Sequence, residues 1–334
     1  MTIVTPASNA AHLLPEAIRS VLDQTMSDFE HLIINDASTD ATLQVARAWA
    51  TRDERIRVVD LDRHGGVGWS RNAGVRAGRG AFVAFVDADD RWAPTFLEDQ
   101  LQSLNEAGPD ALASFCHSVN FEDGTGRLIG LHAPAAGRYG LARMFLGRCA
   151  PGNGSSLLIR RSAFDRVGLF DETLPRGEDV DMWLRFLANT PGGYFVCLPR
   201  VLTYRRLHAG SRTTGRHFMI DQQIDVYAER LARFMPAIDP RFHARMYLTY
   251  IITVLVVRSQ RAHRQSRLWA DQALQLSALT WWERIQAIIV PPLLRLIGPE
   301  LYAVYRWQRW AAARLRMRSA RVPALSQSWR LRGG

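Results

Sequence analysis

Strand-like and helix-like segments alternate through residues 1–100, and this alternation limits the fold more than any other feature of the sequence. Strands that alternate with helices predict a doubly wound α/β domain with a mostly parallel, mixed sheet flanked by helices. The predicted strands lie in 1–8, 29–38, 56–62 and 81–90. The predicted helices lie in 13–25 and 39–50, and 64–78 is predicted to be a glycine-rich turn followed by a helix.

Polar residues follow three of these predicted strands at their carboxyl ends. They occupy Thr5–Asn9, Asn35–Asp40 and Asp87–Asp90. Ligands of open α/β sheets bind outside the carboxyl ends of the strands. The sequence therefore predicts one polar cleft built from these three loops.

The segment Gly80–Trp92 is an apolar strand that ends in three acidic residues. Asp87 and Asp89 are two residues apart and point the same way on a strand, and Asp90 joins them at the following turn. Carboxylates so close together raise one another's pKa unless a cation lies between them. This predicts a site for Mg²⁺ or Mn²⁺. The alternative is that Asp89 or Asp90 caps the helix that follows.

A glycine-rich segment, His64–Gly74, leads into a predicted helix. The backbone N–H groups at a helix start favour an anion, although glycines also serve ordinary tight turns. Arg71 lies near the positive end of the helix dipole, where a cation is unfavourable. We interpret Arg71 either as a ligand contact or as part of a surface salt bridge.

Two later segments carry charged side chains with two possible uses. Glu178, Asp179 and Asp181 stand at the start of an amphipathic helix, either as ordinary helix N-terminal acids or as the source of a general base. The segment 204–213 is interpreted as a loop after a strand that either neutralises a diphosphate or forms a solvated basic surface. Its polar residues are Arg205, Arg206, His208, Ser211 and Arg212.

The cysteine content and the N-terminus predict a cytoplasmic protein. The three cysteines are far apart, with no CxxC pair and no zinc-ligand pattern, which fits a reducing compartment. The N-terminus lacks the features of a signal peptide. The longest apolar segment, Tyr247–Val257, is about half of the ~20 residues that a membrane-spanning helix needs.

Charge divides the chain into two parts. The net charge is +10 and every one of the 42 basic residues is Arg, of which 14 lie in 258–334 beside three acidic residues. Helical patterns rich in Trp and Arg dominate after Gly215. We therefore predict a catalytic domain at 1–215 and a helical region at 216–334.

The C-terminal region suggests a membrane contact. Residues 301–318 combine an apolar helical face with Arg and Trp side chains, which is typical of a helix on an anionic membrane surface. This predicts a peripheral protein on the cytoplasmic face. The alternatives are packing on the catalytic domain or on a second subunit, as in a homo-oligomer. A nucleic-acid partner is disfavoured because no recognised binding motif is present.

Four segments occur in an order and spacing that resembles the family 2 glycosyltransferases, which are inverting enzymes with a GT-A fold and nucleotide-sugar donors. Together they span residues 2–213. Three positions depart from the family pattern: Ser8 stands where an aromatic residue is common, Asn35 where an Asp is common, and Trp69 where small residues are usual. The matching segments are 2–42, 64–92, 159–185 and 204–213.

The resemblance implies a role for each matching position. Asp179 is implied to be the catalytic base, with Glu178 beside it. Asp89, Asp90 and His208 are implied to lie at the Mg²⁺ or Mn²⁺ ion and the diphosphate. The implied nucleotide-sugar contacts are Pro6, Ala7, Asn9, Asp36, Arg71, Asp87, Ala88 and Arg205.

The resemblance also implies an activity. It predicts transfer of a hexose-type sugar, with a UDP-sugar as the expected donor and a saccharide or lipid-linked acceptor. The expected product is a bacterial cell-surface polysaccharide or glycolipid. A non-catalytic nucleotide-sugar binder is the alternative, and the joint presence of Asp89, Asp179 and His208 argues against it.

Overall fold

The computed structural model describes residues 1–146, 151–174, 177–208, 211, 229 and 233–238. The predictions for Arg212 and for nearly all of the C-terminal region lie outside the described residues. The amphipathic segment 301–318, which is predicted to contact a membrane, is among them.

The first half of the sheet has the predicted alternation of strands and helices. Its elements are β1 (Thr2–Ala7), α1 (Leu14–Leu22), β2 (Glu30–Asn35), α2 (Thr42–Ala50), β3 (Ile56–Asp60), α3 (Gly66–Ala77) and β4 (Phe82–Phe85). β1 lies between β2 and β4, β3 lies outside β2, and all neighbours are parallel. The chain moves outward from β1 to β3 and then returns to the other side of β1. This reversal creates a topological switch point between β1 and β4.

The second half of the sheet is mixed. Its elements are β5 (Arg91–Trp92), α4 (Phe96–Ala107), β6 (Ala111–Glu122), β7 (Leu128–His132), β8 (Gly137–Tyr139), α5 (Leu141–Leu146), a 3₁₀ turn (Gly154–Ser156), β9 (Leu157–Arg160), α6 (Arg161–Val167), α7 (Glu178–Ala188), β10 (Tyr194–Leu207) and a 3₁₀ turn (Met235–Ala237). β9 runs antiparallel between β4 and β6, and β10 is parallel to β6. β5 and β8 pair antiparallel with β10, and β7 pairs antiparallel with β6.

Helices cover both faces of this sheet. Ile3 packs in one apolar cluster with residues of α1 and α4, whereas the next residue, Val4, packs in another with residues of α3, α6 and α7. Both side chains are fully buried. Successive strand residues point to opposite faces, so each face of β1 has its own helical layer. The observed three-layer architecture confirms the predicted fold class.

Two features of the second half differ from the sequence-based expectations. β6 was not predicted. Its first six residues are all buried, and apolar–polar alternation appears only over its last five residues, Ser118–Glu122. β10 extends to Leu207, so that Arg205 and Arg206 lie on a strand opposite Asn120 and Phe121 of β6. The prediction that both arginines lie on a loop is therefore wrong.

Two described apolar residues beyond position 215 pack on the first 215. Phe234 and Ile238 are each 4% exposed and belong to the cluster that contains α5 and α7. The ring centroids of Phe145 and Phe234 are 6.2 Å apart. The boundary near Gly215 lies outside the described residues and stays a prediction. Within the part of the chain that the structure describes, no helix has the length and apolar character needed to cross a membrane.

The packing of α3 on β1 gives a paired stability test. A Cβ atom at Gly74 would overlap the fully buried side chain of Val4, whereas one at Gly68 would be no closer than 3.5 Å to its nearest neighbour, the Asp171 carbonyl. We expect Gly74→Ala to lower the free energy of unfolding by about 1–3 kcal/mol. Gly68→Ala is expected to raise it by up to about 1 kcal/mol, because Ala favours a helix. Urea unfolding of both variants checks this, and equal losses would contradict the packing described.

Candidate active site

The candidate site lies at the switch point, beyond the carboxyl ends of β1, β2 and β4. Asn9 joins the first two of these loops, since its Oδ1 accepts hydrogen bonds from the backbone N–H groups of Thr39 (2.8 Å) and Asp40 (3.3 Å). The backbone is left-handed at Asn9 (φ 50°) and at Ala37 (φ 48°). Such conformations are uncommon for L-residues and cluster at functional sites. The two loops therefore form one tightly constrained wall of the cleft.

The three acidic residues after β4 lie in a turn beyond the strand. The N–H of Asp90 donates to the carbonyl of Asp87 over 2.9 Å. One carboxylate oxygen from each of Asp87, Asp89 and Asp90 lies within 4.8 Å of the other two. The cluster is therefore confirmed, but a turn forms it instead of strand alternation. The predicted capping role is wrong, because α4 begins at Phe96 with Thr95 as its N-cap.

Asp90 is the most deeply buried of these acids, at 3% exposed. Its Oδ2 accepts a hydrogen bond from Oγ of Ser155 (2.7 Å), and its Oδ1 accepts one from the backbone N–H of Arg206 (3.2 Å). Burial raises the pKa of Asp90 well above its usual range. The charges of Asp89 and Asp87 raise this pKa further, against the opposing hydrogen bond from Ser155. The turn thus concentrates negative charge in a desolvated place.

Asp89 faces His208 across the cleft edge. Its side chain is 31% exposed, and its Oδ2 lies 3.2 Å from Nε2 of His208. Burial and the neighbouring Asp87 raise the pKa of Asp89, while the contact with His208 lowers it. A hard divalent cation fits the cluster of Asp87, Asp89 and Asp90, because its carboxylate ligands are oxygens and it carries excess negative charge. The residues predicted for metal binding, Asp89, Asp90 and His208, are therefore together in the structure.

Arg71 lies between the start of α7 and the turn Asp87–Asp90, here called the acid turn. Its Nη2 contacts Oδ1 of Asp87 (2.9 Å), and its Nη1 contacts Oε1 of Glu178 (3.0 Å). The side chain is 2% exposed, and its guanidinium carbon lies 5.5 and 5.6 Å from the ring centroids of Phe85 and Phe170. The interpretation as a surface salt bridge is wrong, since Arg71 and Glu178 are both buried and only the Asp87 side chain, at 27% exposed, reaches the cleft surface.

The two ion pairs of Arg71 form a bridge between Asp87 and Glu178. The charge of Asp179 also acts on the pKa of Arg71, so Asp179 lies near this bridge. Burial lowers the pKa of Arg71, but the charges of Asp87, Glu178 and Asp179 raise it, and the net change is upward. The guanidinium is therefore permanently charged at the junction of the two acidic groups.

The three acids at the start of α7 have different partners. Gly177 precedes the helix with φ 72°, a left-handed conformation that suits glycine. Glu178 is buried against Arg71, and Asp181 pairs with Arg185 (2.7 Å). Asp179 is partly exposed and its Oδ1 accepts a hydrogen bond from the next backbone N–H (2.7 Å), but it forms no ion pair with any described residue. Asp179 is thus the partly exposed acid of this turn that no described cation pairs with.

Arg206 ties the end of β10 to the acid turn. Its guanidinium pairs with Asp123 (2.5 Å) and with Glu16, and its Nε donates to the carbonyl of Asp89 (3.1 Å). Arg91 also pairs with Glu16. Because Arg206 is 5% exposed, the interpretation of it as part of a solvated basic loop is wrong. It is a buried support of the turn.

Asp36 occupies the helix start where a ligand anion was expected. Its two carboxylate oxygens accept hydrogen bonds from the backbone N–H groups of Gly65 (2.8 Å) and Gly66 (3.0 Å), and His64 Nδ1 lies 2.9 Å away. The expectation that these two N–H groups bind a ligand is therefore wrong. The anion at this end of α3 is the carboxylate of the protein itself.

The other predicted nucleotide contacts lie around the same cleft. Pro6 pairs with Ile34 in the ladder between β1 and β2. Ala7 and Ala88 are buried, in the apolar cluster that includes α1. The charge of Arg205 lowers the pKa of Asp90, which is raised chiefly by burial, so the Arg205 side chain lies near the acid turn. These positions therefore lie at or just beyond the carboxyl ends of β1, β4 and β10.

Sequence reasoning assigned no role to Ser155, although the residue contacts the acid turn directly. A serine in a Gly-Ser segment reads as an ordinary turn residue. The position of Ser155 at the site follows from the strand order of the sheet. β9 is antiparallel to β4, so the residues just before β9 lie beside the carboxyl end of β4.

The chain belongs to glycosyl transferase family 2, since the model of that family matches residues 2–168, which is half of the chain. It is 34% identical over 139 residues to the putative teichuronic acid biosynthesis glycosyltransferase TuaG of Bacillus subtilis. That match covers 42% of this chain and 55% of TuaG, little more than half of the relative's length. An uncharacterized glycosyltransferase of Rickettsia prowazekii, RP339, is 26% identical over 232 residues, or 68% of this chain and 70% of the relative.

Solved structures share the fold. TarS 1–349 of S. aureus in complex with UDP-GlcNAc aligns with a TM-score of 0.61 at 18% identity, covering 92% of this chain and 91% of that one. The mannosyltransferase PcManGT of Pyrobaculum calidifontis, in complex with GDP-Man and Mn²⁺, also gives 0.61 at 17% identity, with coverages of 93% and 83%. These similarities confirm the predicted GT-A fold.

Replacement of Arg71 tests the bridge. Arg71→Met leaves Asp87 and Glu178 without their cation, so we expect the free energy of unfolding to fall by about 3–5 kcal/mol. Arg71→Lys keeps the charge but cannot reach both acids in the same way, and a smaller loss is expected.

A matched control lies on the same helix. Arg76 pairs with Glu172 over 3.4 Å, but its side chain is 57% exposed. Arg76→Met is expected to cost less than about 1 kcal/mol. Denaturant unfolding compares the variants, and an Arg71→Met loss no larger than that of Arg76→Met would contradict the buried bridge.

Proposed function

We propose that this chain transfers a hexose-type sugar from a nucleoside-diphosphate sugar to an acceptor hydroxyl, with inversion at the anomeric carbon. One observation supports this proposal most directly. Arg71 joins the acid turn, whose carboxylates could hold a metal ion, to the start of the helix that carries Asp179. Membership of the family supports sugar transfer as the reaction.

The proposed donor is a UDP-sugar, supported by the fold shared with TarS, whose structure is a complex with UDP-GlcNAc. Asp87 contacts the ribose side of the nucleotide, and Arg205 lies over the diphosphate. Arg71 has both terminal nitrogens on carboxylates, so we propose that it orients Asp87 rather than contacting the nucleotide itself. The wall around the base is formed by Pro6, Ala7, Asn9, Asp36 and Ala88.

Asp89, with help from Asp90 and His208, would hold Mg²⁺ or Mn²⁺. When bound, the ion supplies stabilisation for the negative charge of the departing diphosphate. The complex of PcManGT with Mn²⁺ supports a divalent ion in a protein of this fold. Asp90 is held in place by Ser155 and by the Arg206 backbone, and Asp89 is the more exposed of the two ligands.

Asp179 is the proposed catalytic base, with Glu178 beside it. A sugar hydroxyl is a weak nucleophile, and a carboxylate within hydrogen-bond reach takes its proton as the new bond to the anomeric carbon forms. The bond from that carbon to the diphosphate oxygen breaks on the opposite side, so the configuration inverts. Glu178 and Asp181 are engaged by Arg71 and Arg185, whereas Asp179 pairs with no described cation.

A saccharide or lipid-linked acceptor is proposed, within bacterial cell-surface polysaccharide or glycolipid synthesis. The name of the relative TuaG, which refers to teichuronic acid biosynthesis, supports this class of product. The acceptor would approach from the side of α7, where Asp179 is partly exposed.

A donor screen tests the reaction. UDP-, GDP- and dTDP-sugars are incubated with the protein and Mn²⁺ or Mg²⁺, and release of nucleoside diphosphate is measured. We expect release from UDP-sugars and its loss on chelation of the metal. Asp179→Asn should lower transfer by about 100- to 10,000-fold, because the general base is lost. Thermal stabilisation by the donor should remain in this variant.

Asp181→Asn is the control, since it makes the same change in the same helical turn at an acid that pairs with Arg185 and Arg233. Its rate per folded molecule is expected to match the wild type. Equal losses in both variants would rule out Asp179 as the base. Donor-induced stabilisation without any nucleotide release in the wild type would indicate a non-catalytic binder.

We also propose that the Arg- and Trp-rich region 216–334 holds the protein at the cytoplasmic face of an anionic membrane. Sedimentation with liposomes tests this. The full chain should sediment with anionic liposomes and less so at high salt, because the attraction is electrostatic. Binding to an oligonucleotide but not to liposomes at matched salt would contradict the proposal.

A further inference from the structure

Ser155 lies directly beneath the acid turn. It is fully buried in the 3₁₀ turn that precedes β9. Its hydroxyl donates to Oδ2 of Asp90 (2.7 Å) and accepts the backbone N–H of Asp87 (3.1 Å). One hydroxyl therefore contacts both ends of the four-residue turn that carries the clustered carboxylates.

The backbone of Ser155 is anchored by side chains other than the acids. Its carbonyl oxygen accepts hydrogen bonds from the indole N–H of Trp92 (2.7 Å) and from the hydroxyl of Thr203 (3.2 Å). Trp92 lies on β5 and Thr203 on β10, so two strands hold the serine in place. The Ser155 hydroxyl therefore meets the acid turn from a backbone that is itself held by hydrogen bonds.

The neighbouring Gly154 adds a second contact between this segment and the site. A Cβ atom at Gly154 would lie 2.7 Å from Nη2 of Arg71, the nitrogen that contacts Asp87. The chain at 154–155 thus packs against Asp90 through Ser155 and against the cation that holds Asp87. The segment supports the carboxylate cluster on two sides.

We propose that Ser155 is a positioning residue that sets the spacing of the carboxylates and thereby the affinity of the acid turn for a divalent cation. This rests on the proposed function, in which Asp89 and Asp90 hold the ion. Ser155 itself does not contact the ion. Its hydroxyl keeps Asp90 turned toward the cluster, because without it the N–H of Arg206 is the one hydrogen-bond donor that the described residues offer to the buried carboxylate.

Ser155→Ala and Ser156→Ala form a matched pair for the test. Ser156 is equally buried, and its hydroxyl lies within hydrogen-bond distance of the carbonyls of Pro151 (2.9 Å) and Asn153 (3.0 Å), with no bond to the acid turn. Both changes remove one buried hydroxyl from the same turn. We expect both variants to have a lower free energy of unfolding. Only Ser155→Ala is expected to have a lower affinity for the ion.

The readout is Mn²⁺ binding to the full chain, followed by electron paramagnetic resonance of the free ion, with and without UDP. Loss of a residue that orients metal ligands weakens metal affinity by about 10- to 100-fold, and we expect this for Ser155→Ala. Ser156→Ala should bind Mn²⁺ as the wild type does. In sugar transfer, Ser155→Ala should raise the Mn²⁺ concentration for half-maximal rate while the rate at saturating Mn²⁺ is retained.

Thr203→Val provides a second route if Ser155→Ala does not fold. It removes the hydroxyl that holds the Ser155 carbonyl and preserves the side-chain volume, so we expect weaker Mn²⁺ binding by a smaller factor. If the wild type binds Mn²⁺ but Ser155→Ala binds it equally tightly, the role of Ser155 is wrong and the metal site stands. If the wild type binds no Mn²⁺ even with UDP, the proposed metal site is wrong together with this role.

Discussion

The buried guanidinium of Arg71 is the contact on which the arrangement of the site depends. It joins Asp87, 16 residues away after β4, with Glu178, 107 residues away at the start of α7. A buried cation between two carboxylates is stable only as a complete set, since removal of one member leaves an uncompensated charge in the interior. The carboxyl end of the parallel half-sheet and the start of α7 are therefore held at a constant separation.

This bridge divides the acids of the cleft into two kinds. Asp87 and Glu178 are paired with Arg71 and maintain the geometry. Asp89 and Asp179 form no ion pair with Arg71, and in our proposal they carry out the chemistry on opposite sides of the sugar. Asp89 is next in sequence to the buried Asp90, and Asp179 is next to the buried Glu178. The proposed attack on the anomeric carbon requires carboxylates that are accessible to the substrates and are held in fixed positions by the residues around them.

Local sequence patterns were sufficient for the first half of the fold, because hydrophobic periodicity and polar strand ends depend on neighbouring residues only. The roles predicted for Asp89 and Asp179 rest on short motifs that resemble those of the family, which can also be read from neighbouring residues. The partners of Arg71 could not be predicted, since they depend on how α3 packs against α7. β6 escaped detection because both of its faces are buried over its first six residues. Ser155 carries no pattern of its own, and only the antiparallel pairing of β9 with β4 reveals its place.

Anomalous diffraction from Mn²⁺, in crystals of the chain grown with UDP, would locate the ion without any assumption about its ligands. We predict one strong peak at the acid turn, in contact with Asp89, with Arg71 still between Asp87 and Glu178. A peak on Glu178 or Asp179 would contradict this arrangement. So would an Arg71 side chain that leaves both acids and turns toward the nucleotide.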